Sequence, residues 1–504
     1  MRKRASAIAK GTISAIVIYC VCPAAARAQD IRSDDPVALS FAAAQNRFDH
    51  RSAALAGADH ASTAARETAA AVSTLRRPIV TASAQYLEYQ KTLGVDLTGP
   101  KQDALDNTQQ FLGGLPGSFP PAFQEIAGEI TGKLSQALPG LFSAIPDQLS
   151  YRYRDTVFRP TVQAVLPIYT GGAIPAVQNA AKAGVSLADA KGDQLRDVAQ
   201  IDLIRVYFGQ LAAQALEQSA RQSRDALQSL YEDARTLEAE GVIAHARTLE
   251  AQVARDTAER ALDRAVLANR TARDELADKL DLVAVEPTTP LFVQSRPLAP
   301  VASFTGNEAA LPQTRQADAA RDLAQSGVDL AKSRYRPQVF AFGEYNLNRD
   351  DSLPIEPDWI VGVGARITLL SNVDRGHTLA AARAQKAAAE DAAREARKTS
   401  ATATRRAWEL TEAARRSFLL LDSSIAAAQE NLRVQRISFD EGEATVTAVL
   451  GAEAALTTAR AQRIATAYEY DLALAGLLAS AGDLGRFDSY LATADIRVAP
   501  EPAR

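Results

Sequence analysis

The chain has 504 residues, 47% of them apolar and 23% charged, with net charge −4, two Cys and one Met. That apolar fraction excludes wholesale disorder, and the charge balance speaks against a nucleic-acid binder. Beyond the N-terminal segment no run of about 18 apolar residues appears, which excludes a polytopic helical membrane protein. Aromatic residues make up only 6%, and Ala dominates, a composition that favours long helices over a compact aromatic core.

Residues 1–28 read as a secretory signal peptide. Arg2, Lys3, Arg4 and Lys10 make a positive start, residues 11–22 a short apolar stretch, and Ala26-Arg27-Ala28 a small-x-small site, so cleavage is expected after Ala28. Cleavage removes five basic and no acidic side chains, leaving 51 basic against 60 acidic, net −9. Both Cys, Cys20 and Cys22, and the only Met leave with it. The remaining chain has no thiol for a disulfide or a Cys-ligated metal.

An internal repeat organises the rest. Val162-x-Ala164-x-Leu166 lies over Val363-x-Ala365-x-Ile367, and Glu240-Gly241 over Glu441-Gly442, all at a shift of 201. Arg77-Pro78-x-Val80-x-Ala82 lies over Arg336-Pro337-x-Val339-x-Ala341 at a shift of 259. The difference, 58 residues, is an insertion in the first copy within 91–150. The chain therefore divides into a first repeat at 29–280, a Pro-rich connector at 281–313, a second repeat at 314–480 and a tail at 481–504, expected to be partly disordered.

In chain order, each repeat is expected to hold a helix (36–76; 314–334), two strands (79–89 and 157–168; 338–347 and 358–369), a very long helix (172–239; 373–439) and a return helix (246–280; 446–479). The strands alternate. Val80, Ala82, Ala84 and Tyr86 share a face, as do Val339, Ala341, Gly343 and Tyr345. Arg159, Glu344 and Arg366 fall on the opposite parity. About ten residues, apolar on one face and polar on the other, with aromatics near the ends, is the pattern of a transmembrane β-strand. The long helices carry heptad spacing, as in Phe418, Leu421, Ile425, Ala428 and Leu432 and in Leu227, Leu230, Ala234 and Leu237. Four strands cannot close a membrane barrel, whose smallest form has about eight. Open edges in lipid are forbidden, so several chains must share one barrel. The fold class expected is mainly α with membrane β.

The tandem repeat, the junction Leu166-Pro167-Ile168-Tyr169-Thr170-Gly171-Gly172 and the turn Phe439-Asp440-Glu441-Gly442-Glu443-Ala444-Thr445-Val446 resemble the TolC-like family of outer-membrane efflux and secretion channels. The resemblance implies a homotrimer with a twelve-stranded barrel in outer-membrane lipid. A long α-helical coiled-coil barrel would hang into the periplasm and meet a periplasmic adaptor and an inner-membrane transporter. It places the gate and adaptor contact at two tips, Ala239–Arg247 and Asp440–Ala448, with Glu240, Gly241, Arg247, Asp440, Glu441, Gly442 and Glu443 as candidate residues. Family members often carry Asp six residues after each tip Gly; here those positions are Arg247 and Ala448. Glu250 and Glu453 add charge near the tips, and Arg247 is the expected counter-charge. Arg159, Glu344 and Arg366 are candidates for the barrel lumen. The insertion 91–150 is expected outside the cell, where Phe123, Ile126, Ile130 and Leu134 follow helical spacing.

Enzyme chemistry has little support. There is no G-x-S-x-G and no H-E-x-x-H. Gly128-x-x-x-Gly132-Lys133-Leu134 has the wrong spacing for a phosphate loop and lacks the Ser or Thr for Mg²⁺. His50, His60, His245 and His377 are scattered. No catalytic residue, cofactor, metal or nucleic-acid partner is expected. Three functional readings follow: an efflux duct for small molecules, the exit duct of a type I protein secretion system, and a periplasmic coiled-coil scaffold without a pore.

Overall fold

A computed structural model describes residues 36–96, 148–349 and 357–498. The signal peptide, the bulk of the insertion and the last six residues lie outside that range.

Two of the expected helices are very long. Helix α3 (Ala173–Ala239) has 67 residues and α6 (Arg375–Asp440) has 66, so each rises about 100 Å at 1.5 Å per residue. Each folds back through a short turn into a return helix, α4 (His245–Lys279) and α7 (Val446–Ala481). Along α6 the residues Thr404, Thr411, Phe418, Ile425, Leu432 and Phe439 step by seven, and all are buried or half-buried. Such a repeat drives two helices to coil left-handedly around each other. The expected first helix is broken. Ser52 ends α1 (Phe41–Arg51), its N–H bonding Phe48 O, and its hydroxyl accepts from Leu55 N at 3.4 Å to begin α2 (Ala53–Ser73). A side chain that competes for backbone groups in this way favours a cap over a continuous helix. Helix α2 packs on α3, and α5 (Pro312–Ser333) packs on both α3 and α6, while α7 packs on α6 and on α3. The two repeats are thereby laced together lengthwise. No helix among the described residues is long and apolar enough to cross a membrane.

The four expected strands form one antiparallel sheet in the order β2 (Ile79–Asp96), β3 (Gln148–Tyr169), β6 (Gln338–Asn346), β7 (Trp359–Arg366), the numbering allowing for three short strands elsewhere. The parity is as read from the sequence. Val80, Ala82, Ala84 and Tyr86 pair with Ala164, Val162, Pro160 and Phe158, and Tyr345 pairs with both Val162 and Trp359. This apolar face is bare: Val80 is 64% exposed, Tyr86 72% and Val361 73%. The other face holds the polar groups, with the Ser83 and Thr161 hydroxyls 2.9 Å apart.

Strands β2 and β3 are longer than the expected 79–89 and 157–168. Beyond the Tyr86–Phe158 pair the formerly apolar face turns polar, as Glu88 faces Thr156 and Gln90 faces Arg154. The Arg154 Nε lies 2.8 Å from Glu88 Oε1. The hairpin thus runs past the apolar band. The prolines of β3 sit where the ladder is irregular: Pro167 at a register shift, Pro160 just past the last β6 partner, Thr161↔Asn346. A residue without an N–H belongs at such places.

The core lies midway along the coils. Phe41, Tyr207, Phe208, Phe292, Tyr470 and Phe487 are buried together, mostly in edge-to-face contact. The connector enters this core as β4 (Val285–Pro287) and β5 (Leu291–Val293), pairing with β1 (Val37–Leu39) and β8 (Ile496–Val498) respectively. The described part of the tail, through Val498, packs on this core: a short helix α8 (Phe487–Thr493) buries Phe487, and β8 adds to β5. Arg415 on α6 clamps the connector, its Nη1 donating to Ser295 O at 2.7 Å while its Nε pairs with Glu412 at 2.9 Å.

At the sheet-to-coil junction, Gly171 has φ +67, and a Cβ there would lie 2.7 Å from the Ser333 carbonyl oxygen. Gly171→Ala is expected to lower unfolding stability by about 2 kcal/mol or more, combining left-handed strain with a backbone clash. Gly241→Ala, with φ +78 but open space around it, is expected to cost about 1 kcal/mol. Denaturant unfolding of the two variants checks this; equal midpoints would refute it.

Candidate functional site: the paired tips and the polar sheet face

Each coil ends in the same turn. Gly241 (φ +78) and Gly442 (φ +77) adopt the left-handed conformation that terminates a helix. Val242 N bonds Leu237 O at 2.8 Å, and at the shift of 201 Glu443 N bonds Ser438 O at 2.8 Å. The second tip is better capped, because Thr445 Oγ1 accepts from Ala448 N at 3.3 Å while Ala244 offers no side-chain cap. Beneath the turns lies a small apolar core of Leu230, Ala234, Ala251, Leu432, Phe439, Val446, Val449, Ala452 and Leu456, drawn from all four helices.

The two tips are tied by polar contacts. Arg247 Nη1 donates to Glu250 Oε1 at 2.8 Å and to Thr447 Oγ1 at 3.0 Å, and Thr447 Oγ1 donates to Glu250 Oε2 at 2.8 Å. Arg247 and Glu250 belong to the first repeat, Thr447 to the second. Hydrogen bonds from Thr447 and then from Arg247 hold the Glu250 carboxyl below the usual range. His245 Nδ1 lies 2.7 Å from Glu238 Oε1 across the first turn. Glu238 is likewise lowered, by Thr248 and then His245.

A second tie is buried. Val446, Val449, Glu453, Leu456 and Arg460 step by three and four along α7, which puts Glu453 in the helix seam, only 4% exposed. Arg436 Nη2 reaches it at 3.2 Å. Burial pushes Glu453 up, against the opposing pull of Arg436 and Arg460. Asp233 on α3 is also raised, by desolvation and then by Asp440 and Glu232, with Arg436 opposing.

The expected gate residues thus separate. Arg247 is in contact with Glu250 and the opposite tip. Glu240, Gly241, Asp440, Glu441, Gly442 and Glu443 are exposed around the turns. Glu453 is paired with Arg436 rather than with Arg247. Sequence reasoning missed Thr447 and Arg436, and the seam position of Glu453 was the signal that could have found its buried pairing.

On the sheet's polar face, Arg159 Nη2 lies 2.6 Å from Glu344 Oε1. Arg366 stands apart at the other end of the sheet, bonding Gln338 Oε1 at 3.3 Å. Phe340 and Phe342 cover Gly364 and Gly362, their cross-strand partners. Among the described residues no cluster of His, Cys, Asp and Glu could hold a metal.

Residues 309–483 match the family described as outer membrane efflux protein. The matched segment is about a third of the chain. The whole fold is similar to VceC, an outer membrane protein of Vibrio cholerae, with a TM-score of 0.67 at 13% identity, covering 88% of this chain and 96% of that one. The MtrE outer membrane channel of Neisseria gonorrhoeae gives 0.67 at 14% identity, covering 88% and 89%. Protein CyaE of Bordetella pertussis is 29% identical over 334 residues, 63% of this chain and 69% of its own length. The matched segment coincides with the second repeat, and the fold extends the likeness over the first. The fold is that of these outer membrane proteins, and the match to the outer membrane efflux protein family supports an outer-membrane location.

Over the range between the ordinary carboxylate value and its raised value, Glu453 takes up a proton in the folded tip. Its contribution to stability is present below the ordinary value and lost as pH rises through the raised one. Glu250 and Glu238 have the opposite sign and lose theirs only at lower pH. Lowering the pH from neutral toward the ordinary carboxylate value is therefore expected to slow amide exchange in 230–240 and 446–456, after correction for intrinsic rates. Glu453→Gln should flatten that dependence; an unaltered dependence would refute the assignment.

Proposed function

We propose that three copies of this chain close a twelve-stranded barrel in the outer membrane and form the exit duct of a tripartite efflux system. The observation that carries this is the four-stranded sheet, whose bare apolar face and unpaired outer edges on β2 and β7 are joined to coils about 100 Å long. A sheet of this kind is stable in lipid only when its edges are closed. The polar face, with Arg159, Glu344 and Arg366, then lines the lumen. The coils reach into the periplasm, and the tips meet an adaptor that couples the duct to an inner-membrane transporter. In this reading the chain acts as a passive conduit, and energy comes from the transporter. The likeness of the fold to the VceC and MtrE outer membrane proteins supports this reading.

In the closed duct, Arg247, Glu250 and Thr447 hold the two hairpins of one chain side by side. Widening the entrance by moving one hairpin against the other breaks these contacts. Arg247→Ala is expected to raise closed-state conductance in single-channel recordings several-fold, while leaving the barrel intact. Unchanged conductance would remove Arg247 from the gate. The duct itself is tested by fractionation and heat-modifiable migration, for which a soluble periplasmic protein is the contrary result. The adaptor recovered by pull-down would assign small-molecule or protein cargo.

A further inference from the structure

The end of the sheet that joins the coils has an unusual surface. Four segments cross there: 74–78 between α2 and β2, 170–172 between β3 and α3, 334–337 between α5 and β6, and 367–374 between β7 and α6. They are bound to one another. Arg336 Nη1 donates to Gly171 O at 3.4 Å, and Arg375 Nη1 donates to Thr368 O at 2.8 Å and to Arg334 O at 3.3 Å. Around this collar Leu75, Ile168, Tyr169, Tyr335, Leu369 and Leu370 are exposed, Leu370 to 93%.

Interleaved with these apolar groups are Arg76, Arg77, Lys332, Arg334, Arg336 and Arg375, against two acids, Asp329 and Asp374. The Asp374 carboxylate is spent as a helix cap, accepting from His377 N at 2.9 Å. Lys332 lies 3.7 Å from Asp329. The exposed side chains of Arg76, Arg77 and Arg334 make no hydrogen bond or ion pair among the described residues. The chain as a whole carries net charge −4, so this excess of positive charge is local.

We propose that the collar is a seat for the phosphate-bearing headgroups of an anionic lipid leaflet. It rests on the membrane reading given above, and charge complementarity identifies the occupant. The apolar members enter the acyl boundary, as amphipathic groups do at a membrane interface. The three unpaired guanidinium groups reach the phosphates, for which their planar donor fork is suited. Unlike the Glu88–Arg154 pair past the other end of the apolar band, they bring no acid of their own to neutralise them. The collar thereby fixes how deep the sheet sits, with the coils excluded from lipid.

The test uses the full-length protein in a neutral detergent, with phosphatidylglycerol and phosphatidylcholine supplied in equal amounts and the retained lipid counted. Each basic side chain near an anionic surface contributes on the order of fivefold in binding. The wild-type protein should retain phosphatidylglycerol at least about tenfold over phosphatidylcholine, a preference that falls as salt is raised. The combined variant Arg76→Gln, Arg77→Gln, Arg334→Gln should retain the two lipids equally, with unchanged helical content by circular dichroism. A wild-type protein without lipid preference, or a triple variant with the full preference, overturns the proposal. So does displacement of phosphatidylglycerol by equimolar inorganic phosphate. Reconstitution separates this failure from a failure of the membrane reading: insertion into neutral vesicles without lipid preference removes only the headgroup seat, whereas insertion into no vesicle removes the membrane reading first.

Discussion

The constraint on which the structure turns is the backbone of four strands. An antiparallel sheet satisfies its interior N–H and C=O groups and leaves its two edges bare. In water, solvent would satisfy them. This sheet, however, presents Val80, Tyr86, Val361 and Trp359 as a bare apolar face, which is costly in water and favourable in lipid. Lipid offers no hydrogen bonds, so the face and the edges make opposite demands that a single chain cannot meet. In the proposed trimer, pairing β7 of one copy with β2 of the next reconciles them. In that assembly a closed ring of strands carries a closed ring of coils with it, because β3 passes into α3 through the tight junction at Gly171.

The tips obey a different balance. Exposed ion pairs such as Arg247–Glu250 contribute little stability, typically about 0–1 kcal/mol. What holds the hairpins together is the apolar core of Leu230, Leu432, Phe439 and Val446, and the polar ties set register and direction. Glu453 is the exception, because it occupies a seam position that a Leu would fill more stably. A charged seam residue specifies partner and register at a cost in stability. That trade suits the proposed gate, a joint held closed and yet separable. The opposite displacements of the Glu250 and Glu453 carboxyls follow from the same difference: one is hydrogen-bonded at the surface, the other is desolvated.

Much of this was legible before any coordinates. Alternation by twos reports directly on which face of a strand is apolar, steps of seven on which face of a helix is packed, and the shift of 201 placed both glycine turns correctly. The extension of β2 and β3 was not legible, because past Tyr86 and Phe158 the apolar alternation stops while the backbone pairing continues. Patterning marks burial, and a hairpin polar on the outward face leaves no such mark. Strand β8 was missed for another reason. Three residues carry no periodicity, and Ile496–Val498 becomes a strand only because β5 is there to pair with it. The break at Ser52 is a local contest between a side chain and a helix, decided by one hydroxyl. The site was read by residue type and turn position, which located Arg247 but could not reveal that its partner across the repeats was Thr447.

Duplication explains why the two halves can differ so much without loss of fold. Each copy needs its strands to meet the neighbouring strands and its coil to meet the neighbouring coil, and these demands fall on spacing more than on identity. The second copy matches the outer membrane efflux protein family, while the first carries the 58-residue excess. That excess enters between β2 and β3, beyond the point where the outward face becomes polar. An insertion there alters neither the apolar band nor the coil register. The tight positions, Gly171 at the junction and Gly241 and Gly442 at the tips, lie elsewhere. Chain added between β2 and β3 therefore leaves undisturbed the strands and coils on which the proposed closure depends.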